Sequence, residues 1–222
     1  MNETPRAMIY GANGYTGRLI ARQAVARGLK PVLAGRNQES IAALAQQLNC
    51  ESRNFTLDNP DQIADQLQGC SAVLHCAGPF SQTAGPMMEG CLAAGADYLD
   101  ITGEIDVIVS AAERSERAED EGVALLPAVG FDVVPSDCLA AMLAERLPGA
   151  RVLQLAFSAT GGMSPGTSKT MVESLPSGGR VCHTTVSRWK GGLRERPVKI
   201  LSQCPSSPLS RDSRSPPHTE WR

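Results

Sequence analysis

Six times between residues 7 and 147, a short apolar run gives way to a segment with helical spacing, and the connections between them are short. The apolar runs are AMIY (7–10), KPVLAG (30–35), SRNFTL (52–57), SAVLHCAG (71–78), DYLDI (97–101) and VALLPAV (123–129). Their length and bounding turn residues read as buried strands. Between them, Tyr15–Arg27, Glu39–Leu48, a stretch from Pro60 to about Leu67, Thr83–Ala94 and Ile105–Glu121 carry helical patterning, and Pro135–Leu147 follows the last strand. Local punctuation agrees. Gly28 stands where a helix needs a left-handed C′ residue, Asp58-Asn59-Pro60 offers a cap followed by proline at the first helical position, and Ser136 is the expected cap of the last helix. Strands that alternate with helices predict a parallel sheet covered on both faces. Right-handed crossovers then select a doubly wound, Rossmann-type α/β fold over a closed barrel, which would need two more units.

After Arg151 the texture changes. VLQLAFSAT (152–160) reads as a longer strand, and GGMSPGTSKTMVE (161–173) as a glycine-rich loop entering a helix capped by Ser164. That is the start of a second, incomplete α+β domain. Residues 202–217 hold six serines and four prolines, a composition that cannot bury enough apolar surface to offset its ordering entropy. The expected organisation is therefore a nucleotide-binding domain over 1–150, a partial substrate domain over 151–201 and a disordered tail over 202–222.

Charge narrows the function classes. The chain carries a formal net charge of −2, no apolar run suited to crossing a bilayer and no secretory h-region. Residues 180–222 hold nine Lys or Arg against three Asp or Glu, but aromatics are not interleaved among them, so nucleic acid is not the expected partner. The seven cysteines include no C-x-x-C pair, and the three histidines do not cluster with them. Free thiols in a reducing cytoplasm are expected, and no metal site.

The first strand-to-helix junction reads YGANGYTGRL, with Gly11, Gly14 and Gly17 at three-residue intervals. A helix start offers unpaired N–H groups and a positive dipole end to a diphosphate, provided the backbone can come close. Gly11 permits the tight turn, Gly14 removes a β-carbon from the phosphate's path and Gly17 lets the helix approach the sheet. Ala12, Asn13, Tyr15 and Thr16 complete the loop. The second strand ends AGRN, residues 34–37, without the acid that would bind a ribose 2′-hydroxyl. Arg36 offers a planar charged fork to a 2′-phosphate, with Asn37 and Ser40 as additional donors, so NADP is the expected cofactor and NAD the alternative. Ala77, Gly78 and Pro79 leave little bulk at the end of the fourth strand, where the dinucleotide would pass. Residues 102–104 (TGE), Phe131 and Asp132 are expected along the same crevice, with Asp132 and Asp137 equally readable as helix-start residues. Lys169 and Glu104 are of a type that does acid–base work, yet each reads first as structural or solvated, so no catalytic residue is assigned.

Together YGANGYTGRL, AGRN, CAGPFSQTAGPMMEGCLAAGADYLDITGE, LLPAVGFDVVPSD and AFSATGGMSPGTSKTMVE resemble the saccharopine dehydrogenase-like oxidoreductases, particularly the trans-acting enoyl reductase branch, over about residues 7–175. The resemblance implies an N-terminal nicotinamide-nucleotide domain, a C-terminal α+β domain shaping the substrate site, and hydride transfer to a carbonyl, imine or enoyl group of a small or lipid-like molecule. It also implies a longer chain, so the end of this one reads as truncated or shifted in frame. The alternatives are an NADP(H)-binding sensor or partner subunit without turnover, or an inactive fragment. A homodimer is compatible with an open sheet edge.

Overall fold

The computed structural model describes residues 6–131, 133–154, 168, 181–183 and 199–201. The chain divides into two units, Met1–Val172 and Glu173–Arg222. In the first, strands β1 (Ala7–Tyr10), β2 (Val32–Gly35), β3 (Ser52–Asn54), β4 (Ala72–His75), β5 (Asp97–Asp100) and β6 (Leu125–Leu126) form one sheet in the order β3-β2-β1-β4-β5-β6. Every neighbouring pair is parallel. Helices α1 (Tyr15–Ala26), α2 (Gln38–Leu48), α3 (Pro60–Gln66), α4 (Phe80–Ala94), α5 (Ile105–Glu113), α6 (Ser115–Glu121) and α7 (Val134–Arg146) make or follow the crossovers.

The period of two along each strand assigns the layers. Ile9 and Leu33 face Ala21 of α1 and Ile41, Leu44 and Ala45 of α2. Met8, Tyr10, Val73 and Tyr98 face the other way, against Ile63 of α3, Met87, Met88 and Cys91 of α4, and Val107 and Ala111 of α5. Two apolar layers on opposite sides of one sheet are the doubly wound arrangement. The strand order reverses between β1 and β4, so the carboxyl ends of these two strands open a crevice at the switch point. Gly90 tightens one crossing: a β-carbon there would lie 2.4 Å from Cγ2 of Ile63, which lets α4 press directly onto α3.

Several boundaries differ from expectation. α4 begins at Phe80, three residues early, because a carboxylate from another loop caps it. The helix expected over 105–121 breaks at Arg114 into α5 and α6. There the Arg114 guanidinium takes the Ser110 carbonyl at 2.8 Å, an acceptor the continuing helix would need, and the Arg114 N–H turns to Ala111 O. β6 is two residues long, since Pro127 has no N–H and Ala128 adopts φ +62°. α7 opens at Val134; Ser136 is not its cap and donates its hydroxyl to Val133 O instead. Asp137 lies in the first turn of α7.

Beyond α7, Arg151–Gln154 form no strand, and the remainder of the strand expected to residue 160 lies outside the described residues. So do Ser164, Lys169 and the tail over 202–222. In the second unit β7 (Val181–His183) pairs antiparallel with β8 (Lys199–Leu201), a pairing the sequence pattern did not disclose.

Candidate functional site: a crevice for a dinucleotide

The turn between β1 and α1 is built from backbone. Gly11 sits at φ +79°, and its N–H and that of Ala12 both donate to Ala34 O, at 2.8 and 3.2 Å. The Gly14 N–H closes the turn on Gly11 O at 3.0 Å. A β-carbon on Gly11 would stand 2.9 Å from both N and Cβ of Ala77, so this glycine also admits the end of β4. These bonds consume the donors of Gly11, Ala12 and Gly14. The next N–H groups, of Tyr15, Thr16 and Gly17, begin α1, which has no side-chain cap and no acid in its first turn. α2 and α3 are capped by Asn37 and Asn59, whereas α5, α6 and α7, like α1, have no side-chain cap. What sets α1 apart is the glycine turn at the end of β1, where the N–H groups of a helix start can bind an anion.

Beside it lies a cavity of about 380 Å³ lined by Tyr10, Gly11, Asn13, Gly35, Arg36, Asn37 and Ala77. Arg36 is exposed at its mouth. The Asn37 side-chain oxygen accepts from the Ser40 N–H at 2.9 Å, so this residue spends its acceptor on α2 and keeps its amide donors for the cavity. Tyr10 donates its hydroxyl to Phe55 O at 3.0 Å. Burial pushes its phenol up to about 12, a rise that Asp58 supports and the Arg36 charge opposes.

Beyond β4 the chain passes Ala77 and a cis Gly78–Pro79 bond into α4. Beneath this loop His75 is fully buried, with Nε2 3.0 Å from the Thr83 hydroxyl. That hydroxyl donates toward Ala77 O and Pro79 O, at 2.7 and 3.0 Å. A ring protonated on Nε2 donates to the Thr83 oxygen and leaves the single Thr83 proton for these carbonyls. Burial lowers the imidazole to about 3, so it is neutral. Glu104 accepts from the N–H groups of Phe80 and Ser81 at 3.0 and 2.6 Å, which closes the N-terminus of α4. Cys76 is held protonated, its thiol pushed up to about 12 by burial and by Asp100, so it is not poised as a nucleophile.

The structure thus brings Gly11, Asn13, Arg36, Asn37 and Ala77 to one cavity. Gly14, Tyr15 and Thr16 are exposed at the start of α1, while Ala12 and Gly17 are buried under it. Gly78 and Pro79 follow the cavity on the β4 loop. Tyr10 and Gly35 escaped the sequence reading. Both end strands and line the cavity, a signal that appears only once the strand boundaries are known. Phe131 is 84% exposed and Asp132 lies outside the described residues. Among the described residues, no group of His, Cys, Asp or Glu is arranged to hold a metal ion.

A reversed-order parallel sheet, a glycine turn feeding an open helix start, and a cationic cavity at the end of the second strand define a Rossmann-type dinucleotide-binding domain. Residues 7–126 match the model of the saccharopine dehydrogenase NADP-binding domain, and the chain belongs to that family. A Mycobacterium tuberculosis protein named among the trans-acting enoyl reductases is 32% identical over 192 residues, covering 79% of this chain and 46% of its own. A human saccharopine dehydrogenase-like oxidoreductase is 25% identical over 150 residues, covering 59% of this chain and 35% of its own. The chain therefore spans about half the length of the first of these relatives and about a third of the second. In fold it is similar to apo saccharopine dehydrogenase (L-Glu forming) from Saccharomyces cerevisiae, with a TM-score of 0.58 at 12% identity over 65% of this chain and 32% of that one.

Proposed function

We propose that this chain provides the NADP(H)-binding part of an oxidoreductase that passes a hydride to a carbonyl, imine or enoyl group of a small or lipid-like substrate. The observation that carries the reading is one cavity that joins Arg36 and Asn37, at an acid-free end of β2, to Gly11 and Asn13 of the turn leading into α1. The residues fit the cofactor. Its diphosphate would take the N–H groups at the start of α1, its 2′-phosphate the Arg36 guanidinium and the Asn37 amide, and the small residues Ala77 and Gly78 leave its path open. The bound nicotinamide supplies the hydride. The chain's own residues bind and orient: Tyr10 lines the cavity, and neutral His75, buried under the β4 loop, holds Thr83 and through it the turn into α4. Free cysteines at 50, 70, 76, 91 and 138 support placing the protein in a reducing cytoplasm.

A second reading, nucleotide binding without turnover, is favoured by one observation. At the ends of β4 and β5, where the nicotinamide would lie, His75 is buried and neutral, Cys76 is held protonated, and the Tyr98 hydroxyl is buried and donated to Asp100. NADPH oxidation against ketones, imines and enoyl thioesters separates the two. Sustained turnover supports the first reading, and tight NADPH binding with no turnover supports the second.

A further inference from the structure

Three loops stand at the carboxyl ends of β4, β5 and β6, on the side of β1 opposite Arg36. Taking the dinucleotide reading above as given, a cofactor that begins at Arg36 and crosses the start of α1 must end its nicotinamide half among these loops. They are joined by one unbroken run of hydrogen bonds. Asp100, the last residue of β5, is fully buried. Its Oδ1 accepts from the Ala128 N–H at 2.8 Å and from the Thr102 N–H at 2.9 Å, and its Oδ2 accepts from the Tyr98 hydroxyl at 2.7 Å. The Asp100 carbonyl takes the Val129 N–H at 2.8 Å. The Thr102 hydroxyl, also buried, accepts from the Glu104 N–H at 2.9 Å. Glu104 then reaches across to the first N–H groups of α4.

Two features separate this run from ordinary capping. First, α2 and α3 are capped by the neutral asparagine that precedes each helix, whereas α4 is capped by a carboxylate 24 residues away in sequence, with Pro79 at its own cap position. The cap therefore reports, and fixes, the distance between two loops. Second, Asp100 holds Ala128 at φ +62°, a conformation a non-glycine residue adopts only when its surroundings enforce it. The Glu104 carboxylate alone fills the start of α4, which leaves the start of α1 as the place for the diphosphate.

We propose that Asp100, Thr102 and Glu104 are positioning residues that set the wall for the nicotinamide half of the cofactor, and that Glu104 reserves the start of α1 for the diphosphate by closing the start of α4. They act on the cofactor through the loops they hold, not through the adenosine cavity.

The test compares two ligands on the full chain: NADPH, which spans both halves, and adenosine 2′,5′-bisphosphate, which carries the adenosine half with the first phosphate of the diphosphate and no nicotinamide half. Glu104→Gln keeps the shape and removes the charge. The expected result is a loss of NADPH affinity of about tenfold or more, with the bisphosphate unchanged within about twofold. Thr102→Val, which cuts the link at the Glu104 N–H but keeps both carboxylates, is expected to show the same split and serves if Glu104→Gln does not fold. Equal weakening of both ligands would reduce the network to general stability and overturn the proposal, as would unchanged NADPH affinity. A wild-type chain that binds neither ligand would instead overturn the dinucleotide reading on which the proposal rests.

Discussion

Gly17 passes so close to Gly11 that a β-carbon on it would stand 2.3 Å from the Gly11 carbonyl oxygen. Gly14, three residues earlier, is exposed, and a β-carbon there would meet that oxygen at 3.2 Å. The two glycines therefore serve different ends. Gly17→Ala is expected to lower stability by about 1–3 kcal/mol in urea denaturation, because α1 must lift from the sheet. Gly14→Val is expected to keep the far-ultraviolet circular dichroism of the fold while losing most NADPH affinity, because its side chain fills the phosphate path. Undiminished NADPH affinity in a folded Gly14→Val chain would mean that the loop is only a turn.

Arg36 should decide which dinucleotide binds. A charge-assisted bond to the 2′-phosphate contributes about 1.5–3 kcal/mol, so Arg36→Ala is expected to weaken NADPH roughly ten- to a hundredfold. NADH, which lacks that phosphate, should be unaffected. Fluorescence titration of both cofactors checks this; equal losses for the two would remove Arg36 from the phosphate site.

His75 makes stability depend on pH. Its folded value lies near 3 and its unfolded value at 6.5, so the unfolded chain binds the extra proton. The contribution is fully present above about pH 6.5 and declines on acidification at about 1.4 kcal/mol per unit until the folded value is approached. Chemical denaturation between pH 7.5 and 5 should show the decline, and His75→Gln should flatten it. A stability profile for His75→Gln that falls as steeply as the wild type would assign the effect to other groups.

Gly90 tests the packing of the two central helices. The β-carbon of Gly90→Ala would meet Ile63 Cβ and Cγ2 at 2.7 and 2.4 Å, so the α3–α4 crossing must open. A loss of about 1–3 kcal/mol is expected. Gly90→Ala with Ile63→Ala, which removes Cγ2, should cost less than the two single losses added together, and strict additivity in that double-mutant cycle would show that the two residues do not share the contact.

The alternating apolar runs determined the fold class by themselves, and the strand-end motifs named most of the residues that line one cavity. They are local signals: strand and helix periods, a turn needing positive φ, a missing acid after a strand. Gly11, Asn13, Arg36 and Asn37 could be named because each lies within a few residues of a strand end on the first two strands. Tyr10 and Gly35 could not, since whether the last residue of a strand also borders a crevice depends on where the strand stops. The break at Arg114 was equally hidden, because the Glu89 carboxylate that holds its guanidinium comes from α4. Only the tertiary structure decided the role of Glu104. In sequence it is an acid at the end of TGE; in the fold it caps a helix that begins 24 residues earlier, a role no periodicity encodes because its partner is set by the parallel packing of β4 beside β5.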